Sequence, residues 1–313
     1  MKKAFIKSIC LVCALLMTAT VLFSCNSDKN KETDKPSNIH TVTFNSNGGS
    51  AVEDMTYGPG VETPITAVPT LAGHSFIGWF DAEGNRVDKI AEDATGNIAL
   101  TAKWGTIYVS EQFDTEVSAP ITAAGTIGGL SVNGSNGASS FTVSDGHLTW
   151  AATGKYATVS PSNNSVREAS SDVITITLVL ARADGAIVPH VDYRFRANNG
   201  SGNVDVNIFT INTNDNNVKA NGTEIIKIPE VKDGYVTLKV VFDFSSGLVS
   251  FYDASDSFIY SYTPNLPNGY TSFTEFRSKL VNNAPNLYVS GYKSGADSIL
   301  YVDFYEIREG GIN

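Results

Sequence analysis

Apolar and polar side chains alternate in short runs over most of the chain after Ile39, and a period of two restricts those runs to β-strands. Val191, Tyr193 and Phe195 interleave with Asp192, Arg194 and Arg196, and Val236, Leu238, Val240 and Phe242 interleave with Thr237, Lys239 and Asp243. Runs of this kind occupy 173–182, 190–197, 204–211, 235–244, 248–252 and 299–308, separated by Gly, Asn and Pro turn residues. Only 273–280 has helical spacing, with Phe273, Phe276 and Leu280 on one side. Strands at such short spacing predict an all-β protein whose larger part is a two-sheet antiparallel β-sandwich.

The first 25 residues follow a different pattern. Lys2, Lys3 and Lys7 precede an apolar stretch, 9–16 and 21–23, that is too short and too interrupted by Thr18 and Thr20 to span a bilayer. The stretch reads as an export signal over 1–24, and Leu22-Phe23-Ser24-Cys25 resembles the bacterial lipobox. That resemblance implies a lipidated Cys25 at the mature N-terminus and a membrane partner reached through the anchor. All three cysteines lie within the first 25 positions, so a mature chain forms no internal disulfide and its stability rests on core burial. Residues 25–38 carry no large apolar side chain and are expected to act as a flexible tether. Within them Ser27-Asp28 resembles the acidic surface-export signal of Bacteroides-type lipoproteins, although a solvated linker has the same composition.

Charge narrows the partners. The formal net charge is −10, and removal of 1–24 takes away three lysines and no acid, which brings it to −13. Such a surface repels phosphate backbones, and no basic run offsets it, so nucleic acid is not an expected partner.

Three ordered motifs mark 39–104 as a separate module. They are Thr43-Phe44-Asn45-Ser46-Asn47-Gly48-Gly49, Gly73-His74-Ser75-Phe76-Ile77-Gly78-Trp79-Phe80, and Leu100-Thr101-Ala102-Lys103-Trp104. Together they resemble the internalin B-repeat, or Listeria–Bacteroides repeat, which implies a small β-grasp-like fold serving as a spacer or interaction module on a bacterial surface. Phe44, Phe76, Trp79 and Trp104 supply one small aromatic core, with Gly48, Gly49 and Gly78 at tight turns.

The remainder, 106–313, has a different likeness. The run 234–243 followed by 246–253 resembles the central hairpin of concanavalin A-like and laminin G-like jelly rolls, with Tyr235 where that family has Trp. Glu111-Gln112-Phe113-Asp114 and 300–307 look like the first and last strands that pair in such sandwiches. The resemblance implies a jelly roll and says more about fold than about activity.

Chemistry is weakly signalled. Jelly-roll glycosidases place two carboxylates about 5 Å apart for retention, or farther for inversion, and the spacing Glu-x-Asp-x-x-Glu is absent. Asp303 and Glu306 are the nearest pair, and their odd spacing predicts opposite faces of one strand. His190, Asp192, Arg194 and Arg196 are predicted to share a face, as a solvated surface, a lyase-like constellation with Tyr193, or a site for an acidic sugar. The four histidines have no metal-ligand spacing, and no cofactor is expected. The loop 212–217 offers oxygens to a structural calcium but equally reads as a polar hairpin turn.

The expected function is therefore non-catalytic binding of a glycan or glycoprotein by a surface lipoprotein. Trp150, Tyr156, Tyr193 and Tyr252 are candidate aromatic contacts beside His190, Asp192, Arg194 and Arg196. Polysaccharide lysis or glycoside hydrolysis, and a structural adhesin with protein partners, are the alternatives.

Overall fold

The computed structural model describes residues 39–312 apart from 136, 138, 153, 155, 163–165, 283 and 290–297. The export signal, Cys25 and the 26–38 segment lie outside the described residues.

The module begins with β1 (His40–Asn45), β2 (Met55–Tyr57), β3 (Thr63–Pro64), β4 (His74–Phe80), β5 (Lys89–Ile90) and β6 (Ile98–Glu111). β1 runs antiparallel to β2 and parallel to β6, β4 runs antiparallel to β6, and β3 pairs with β5. Val42, Tyr57, Phe76, Trp79, Ile90, Leu100 and Ala102 form its core, with Phe44 and Trp104 packed against it. The Trp104 indole N–H donates to Ser46 O at 3.0 Å, which holds the Asn-Gly-Gly turn over the ring. That approach explains Gly49, where a Cβ would stand 2.3 Å from a carbon of the Trp104 ring.

The sandwich continues with β7 (Val117–Ile121), β8 (Ala124–Ile127), β9 (Leu130–Asn133), β10 (Ser139–Ser144), β11 (His147–Ala152), β12 (Thr158–Pro161), β13 (Val173–Arg182), β14 (Val191–Asn198), β15 (Asn203–Asn212), β16 (Asn217–Ala220) and β17 (Thr223–Lys227). It ends with β18 (Val236–Asp243), β19 (Leu248–Tyr252), β20 (Phe258–Tyr262), α1 (Phe273–Ser278), β21 (Asn286–Val289) and β22 (Ser298–Glu309). In the first sheet β22 pairs on one edge with β13, which leads on to β18, β19 and β20. Its other edge is shared between β11, opposite Ser298–Val302, and β6, opposite Tyr305–Arg308. The second sheet has eight strands in the order β17-β16-β15-β14-β21-β12-β9-β8, all antiparallel.

Between the sheets the inward side chains of alternating strands interdigitate. Ile176, Leu178, Leu238, Val240, Phe242 and Tyr305 face Val191, Tyr193, Phe195, Phe209, Ile211 and Leu287, and all are essentially inaccessible to solvent. Tyr193 stacks on Phe209 at 4.9 Å, and its hydroxyl lies 3.1 Å from that of Tyr305. Each such aromatic ring contributes about 2–3 kcal/mol through burial. Trp150 is likewise fully buried, 5.2 Å from Phe141. Two of the aromatic residues expected from sequence to contact a glycan, Trp150 and Tyr193, are thus packing residues with no surface to offer a ligand.

The helix matches its spacing. Phe273, Phe276 and Leu280 are buried, Ser272 Oγ accepts the Glu275 N–H, and Glu275 Oε2 accepts the Thr271 N–H, a reciprocal cap. One expectation about faces is corrected. β22 carries a bulge between its pairings Val179 with Phe304 and Leu180 with Val302, so Asp303 is an inserted residue. The insertion resets the alternation, and Asp303 and Glu306, expected on opposite faces, both lie on the outer side of the first sheet.

β6 is one uninterrupted strand that serves both cores. Its first half pairs with β1 and β4, and Ile107–Glu111 pair with β22. At the crossover the buried Glu309 carboxylate accepts the N–H of Thr106 at 2.9 Å and the hydroxyl of Tyr108 at 2.9 Å, while the Ser75 hydroxyl donates to Glu309 O at 2.7 Å.

Candidate functional site

The outer side of the second sheet is polar on every strand, because each outward position alternates with a buried apolar one. From one edge to the other it presents Glu224 and Lys227, Lys219, Asp205 with Asn207 and Thr210, Asp192 with Arg194 and Arg196, Asn286 and Tyr288, Thr158, Asn133, and Thr126. Cross-strand register places Asp192 between Thr210 and Tyr288, and Thr210 beside Lys219.

A bulge at Ile208, between the pairings of Tyr193 with Phe209 and Arg194 with Asn207, bends β15 at the middle of this face. Beside it opens a cleft of about 410 Å³ lined by His190, Asn207, Thr210, Asn212, Lys219 and Tyr262 among others. The Tyr262 hydroxyl donates to Ile208 O at 2.7 Å, which fixes the ring at the cleft wall, and burial pushes its phenol up to about 12. Asp192 orders three of the lining groups from behind: its Oδ1 accepts the Thr210 hydroxyl at 2.8 Å and the Asn207 amide at 3.2 Å, and stands 4.0 Å from His190 Nε2.

Toward β21 the face becomes cationic. Arg196 donates twice to Asp205, at 2.7 and 2.9 Å, and Arg194 donates to the same carboxylate at 3.0 Å and to Asn286 Oδ1 at 3.1 Å. The Arg194 guanidinium lies over the Tyr288 ring at 3.5 Å. Burial holds Arg194 below the usual arginine value against the pull of Asp205, whereas the hydrogen bonds to Asp205 raise Arg196. Tyr156, 61 % exposed, sits 6.3 Å from Tyr288, ring to ring.

The structure therefore brings together His190, Asp192, Arg194, Arg196 and Tyr156. Tyr252 lies apart, on β19 of the first sheet, against Phe258. Tyr262, Tyr288, Lys219, Asp205, Asn207 and Thr210 carry no motif; only Asp205 and Asn207 show as the polar phase of an alternating strand. Most side-chain oxygens of the 212–217 loop are already engaged: Asn212 Oδ1 accepts from Asn214 and Asp215 N–H, Asn216 Oδ1 accepts from Val188 N–H, and Asp215 pairs with Lys219, whereas Asn217 Oδ1 is buried without a partner among the described residues. No cluster of three His, Cys, Asp or Glu suited to a metal occurs among the described residues.

In the N-terminal module β1 and β4 flank the shared strand β6, and Trp104 caps the turn at 46–49. Residues 40–103 match the Listeria-Bacteroides repeat domain. A stretch of 93 residues is 32% identical to a protein of Evansella cellulosilytica named as a Gly-rich membrane protein, and 71 residues are 37% identical to another of that organism named as a membrane protein. These matches cover 28% and 21% of this chain, and the chain spans about a tenth of the length of the curated relatives it matches. Among solved structures the chain is similar to a gut-microbiota endo-acting O-glycanase (13% identity, 66% of this chain, 100% of that one, TM-score 0.40). It is also similar to an endo-1,3-beta-glucanase from Streptomyces sioyaensis (10%, 66% and 97%, TM-score 0.39) and to arcelin-5, a lectin-like defense protein from Phaseolus vulgaris (11%, 62% and 98%, TM-score 0.36). No helix among the described residues is long and apolar enough to cross a membrane.

Proposed function

We propose that the chain is a surface lipoprotein whose sandwich binds a glycan on the outer side of its eight-stranded sheet, with the Listeria-Bacteroides repeat as its mount. One observation carries the reading: that side is polar from edge to edge, and beside the bulge in β15 opens a cleft in which hydroxyl, amide, imidazole and ammonium groups stand with the Tyr262 ring, which reaches it from β20 of the first sheet. A sugar ring has an apolar face and hydroxyl edges, and this combination matches both. The domain boundary near 105 and lipidation at Cys25 belong to the same proposal, which rests for them on the sequence motifs.

A glycan array probed with residues 39–313, which contain both hydrophobic cores, tests the reading. Binding that falls at least tenfold in Lys219→Ala and Asn207→Ala supports it; binding unchanged by either overturns it. Labelling of the full chain with a radioactive fatty acid, lost in Cys25→Ser, tests the anchor.

Hydrolysis is a second reading, favoured by the β22 bulge that sets Asp303 and Glu306 on one side. Burial raises both carboxyls, as a general acid requires. Release of reducing ends that survives in Glu306→Gln and Asp303→Asn excludes this pair.

A further inference from the structure

The polar face is electrically asymmetric along β14, and the asymmetry bears on which glycans it takes. At the His190 end, Asp192 is the acceptor around which Thr210 and Asn207 are organised. Two residues on, Arg194 and Arg196 share the single carboxylate of Asp205. Two guanidinium cations on one carboxylate leave a net positive charge, and arginine retains its proton throughout the working pH range. The two lysines on this face are matched within their own hairpins, Lys219 with Asp215 and Lys227 with Glu224. Asp192, one step along the same face, balances the excess electrostatically without a hydrogen bond to either guanidinium, so the arginine pair is a local cation set apart from its second counter-charge, in a chain whose formal net charge is −10.

The pair is also built to receive something. Arg194 is nearly buried, locked by Asp205, Asn286 and the Tyr288 ring, so it holds its geometry without a ligand. Arg196 is held at Nε and Nη2 by Asp205 while its side chain stays 31% exposed. Neither Nη2 of Arg194 nor Nη1 of Arg196 makes a hydrogen bond among the described residues, so two donors of a charged fork remain for an incoming anion. Beside them, Tyr156 and Tyr288 offer ring surface, Tyr156 pinned by its N–H to Val289 O at 2.9 Å.

We infer that Arg194 and Arg196, with Tyr156 and Tyr288, form the subsite for an anionic sugar, so that the face selects acidic glycans and orients them with the charged group at Arg196 and hydroxyls toward Asp192. This rests on the proposed glycan-binding face and names its ligand class. The carboxylate or sulfate engages the free guanidinium nitrogens, while the apolar side of the ring lies against Tyr156. Asp192, at the other end, repels a second anion and accepts from hydroxyls, which sets the direction of the chain.

The experiment uses paired glycans that differ only in charge: polygalacturonate against its full methyl ester, alginate against carboxyl-reduced alginate, and a chondroitin sulfate against its desulfated, carboxyl-reduced form. Affinities for residues 39–313 are measured by calorimetry at two salt concentrations. The expected result is that at least one acidic member binds tenfold or more tightly than its neutral partner, that the preference shrinks in high salt, and that the preference disappears in Arg196→Gln. Which pair responds distinguishes a uronate from a sulfate. Equal affinity within every pair, a preference that survives in Arg196→Gln, or no binding of any acidic member overturns the inference. Neutral glycans that bind and are lost in Lys219→Ala would leave the binding face standing with this subsite removed. Since Arg196 lies at the surface, a matched thermal melt of Arg196→Gln separates loss of the subsite from loss of the fold, and Tyr156→Ala, in an exposed ring, gives a second variant expected to weaken acidic binding several-fold.

Discussion

The Glu309 carboxylate accepts both the backbone N–H and the hydroxyl of Ser170, at 2.6 and 3.1 Å, and it does so where the repeat meets the sandwich. With Thr106 N–H and the Tyr108 hydroxyl it receives four donors, and it pairs with no cation among the described residues. Hydrogen bonds to a buried charge are among the stronger ones, and removing the acceptor strands its donors.

Glu309→Ala is therefore expected to destabilise the protein by about 2–4 kcal/mol. Urea denaturation measures the loss, and hydrogen exchange should show Thr106 and Ser170 N–H losing protection first. Retained protection at both would mean that the carboxylate is dispensable at the junction.

Tyr193→Phe separates packing from function. The Tyr193 and Tyr305 hydroxyls have each other as partners in the core, so the single change leaves Tyr305 unpaired at a cost of about 1–2 kcal/mol. Glycan affinity should be unchanged, and the double change to Phe at both positions should cost less than the single one. A fall in affinity at unaltered stability would restore Tyr193 to the site.

Gly49→Ala introduces a Cβ within 2.3 Å of the Trp104 ring. The turn or the ring must shift, with an expected loss of about 1–3 kcal/mol. Near-ultraviolet circular dichroism of Trp104 and a thermal melt report it, and an unshifted melt would show that the turn yields freely.

Tyr262 makes the fold sensitive to alkali. Its phenol titrates near 10 in an unfolded chain and at about 12 in the folded one, because burial disfavours the phenolate. A raised pKa gives stability that is complete below about pH 10 and is lost as pH climbs toward 12. The slope of stability against pH in that window should be shallower in Tyr262→Phe than in the parent, whatever the absolute stability of the variant. Identical slopes would assign the alkaline loss to other tyrosines.

Alternation makes the long strands legible. Val173–Arg182 and Leu248–Tyr252 are read to the residue from sequence, because a buried core on one side enforces the period of two. Short strands such as β8, β9 and β16 are not, since four residues with Gly, Ser and Asn carry too few alternations to stand out from loops. The site is half legible for the same reason. Asp192, Arg194 and Arg196 share one strand and so share a face by parity alone, whereas Tyr288 reaches that face by a long-range strand pairing and Tyr262 reaches the cleft from β20 of the first sheet, and no local pattern encodes either. The misplacement of Asp303 and Glu306 has a single cause, the bulge, which breaks parity without leaving a Gly or Pro to mark it.

The fourteen residues of β6 also act as a mechanical part. A pull applied to the repeat travels along the axis of a strand whose far end is laddered to β22, so that ladder is loaded in shear, with its hydrogen bonds strained together instead of being peeled one after another. A chain tethered at one end and holding a ligand at the other would, by this construction, transmit traction between the two through one continuous strand.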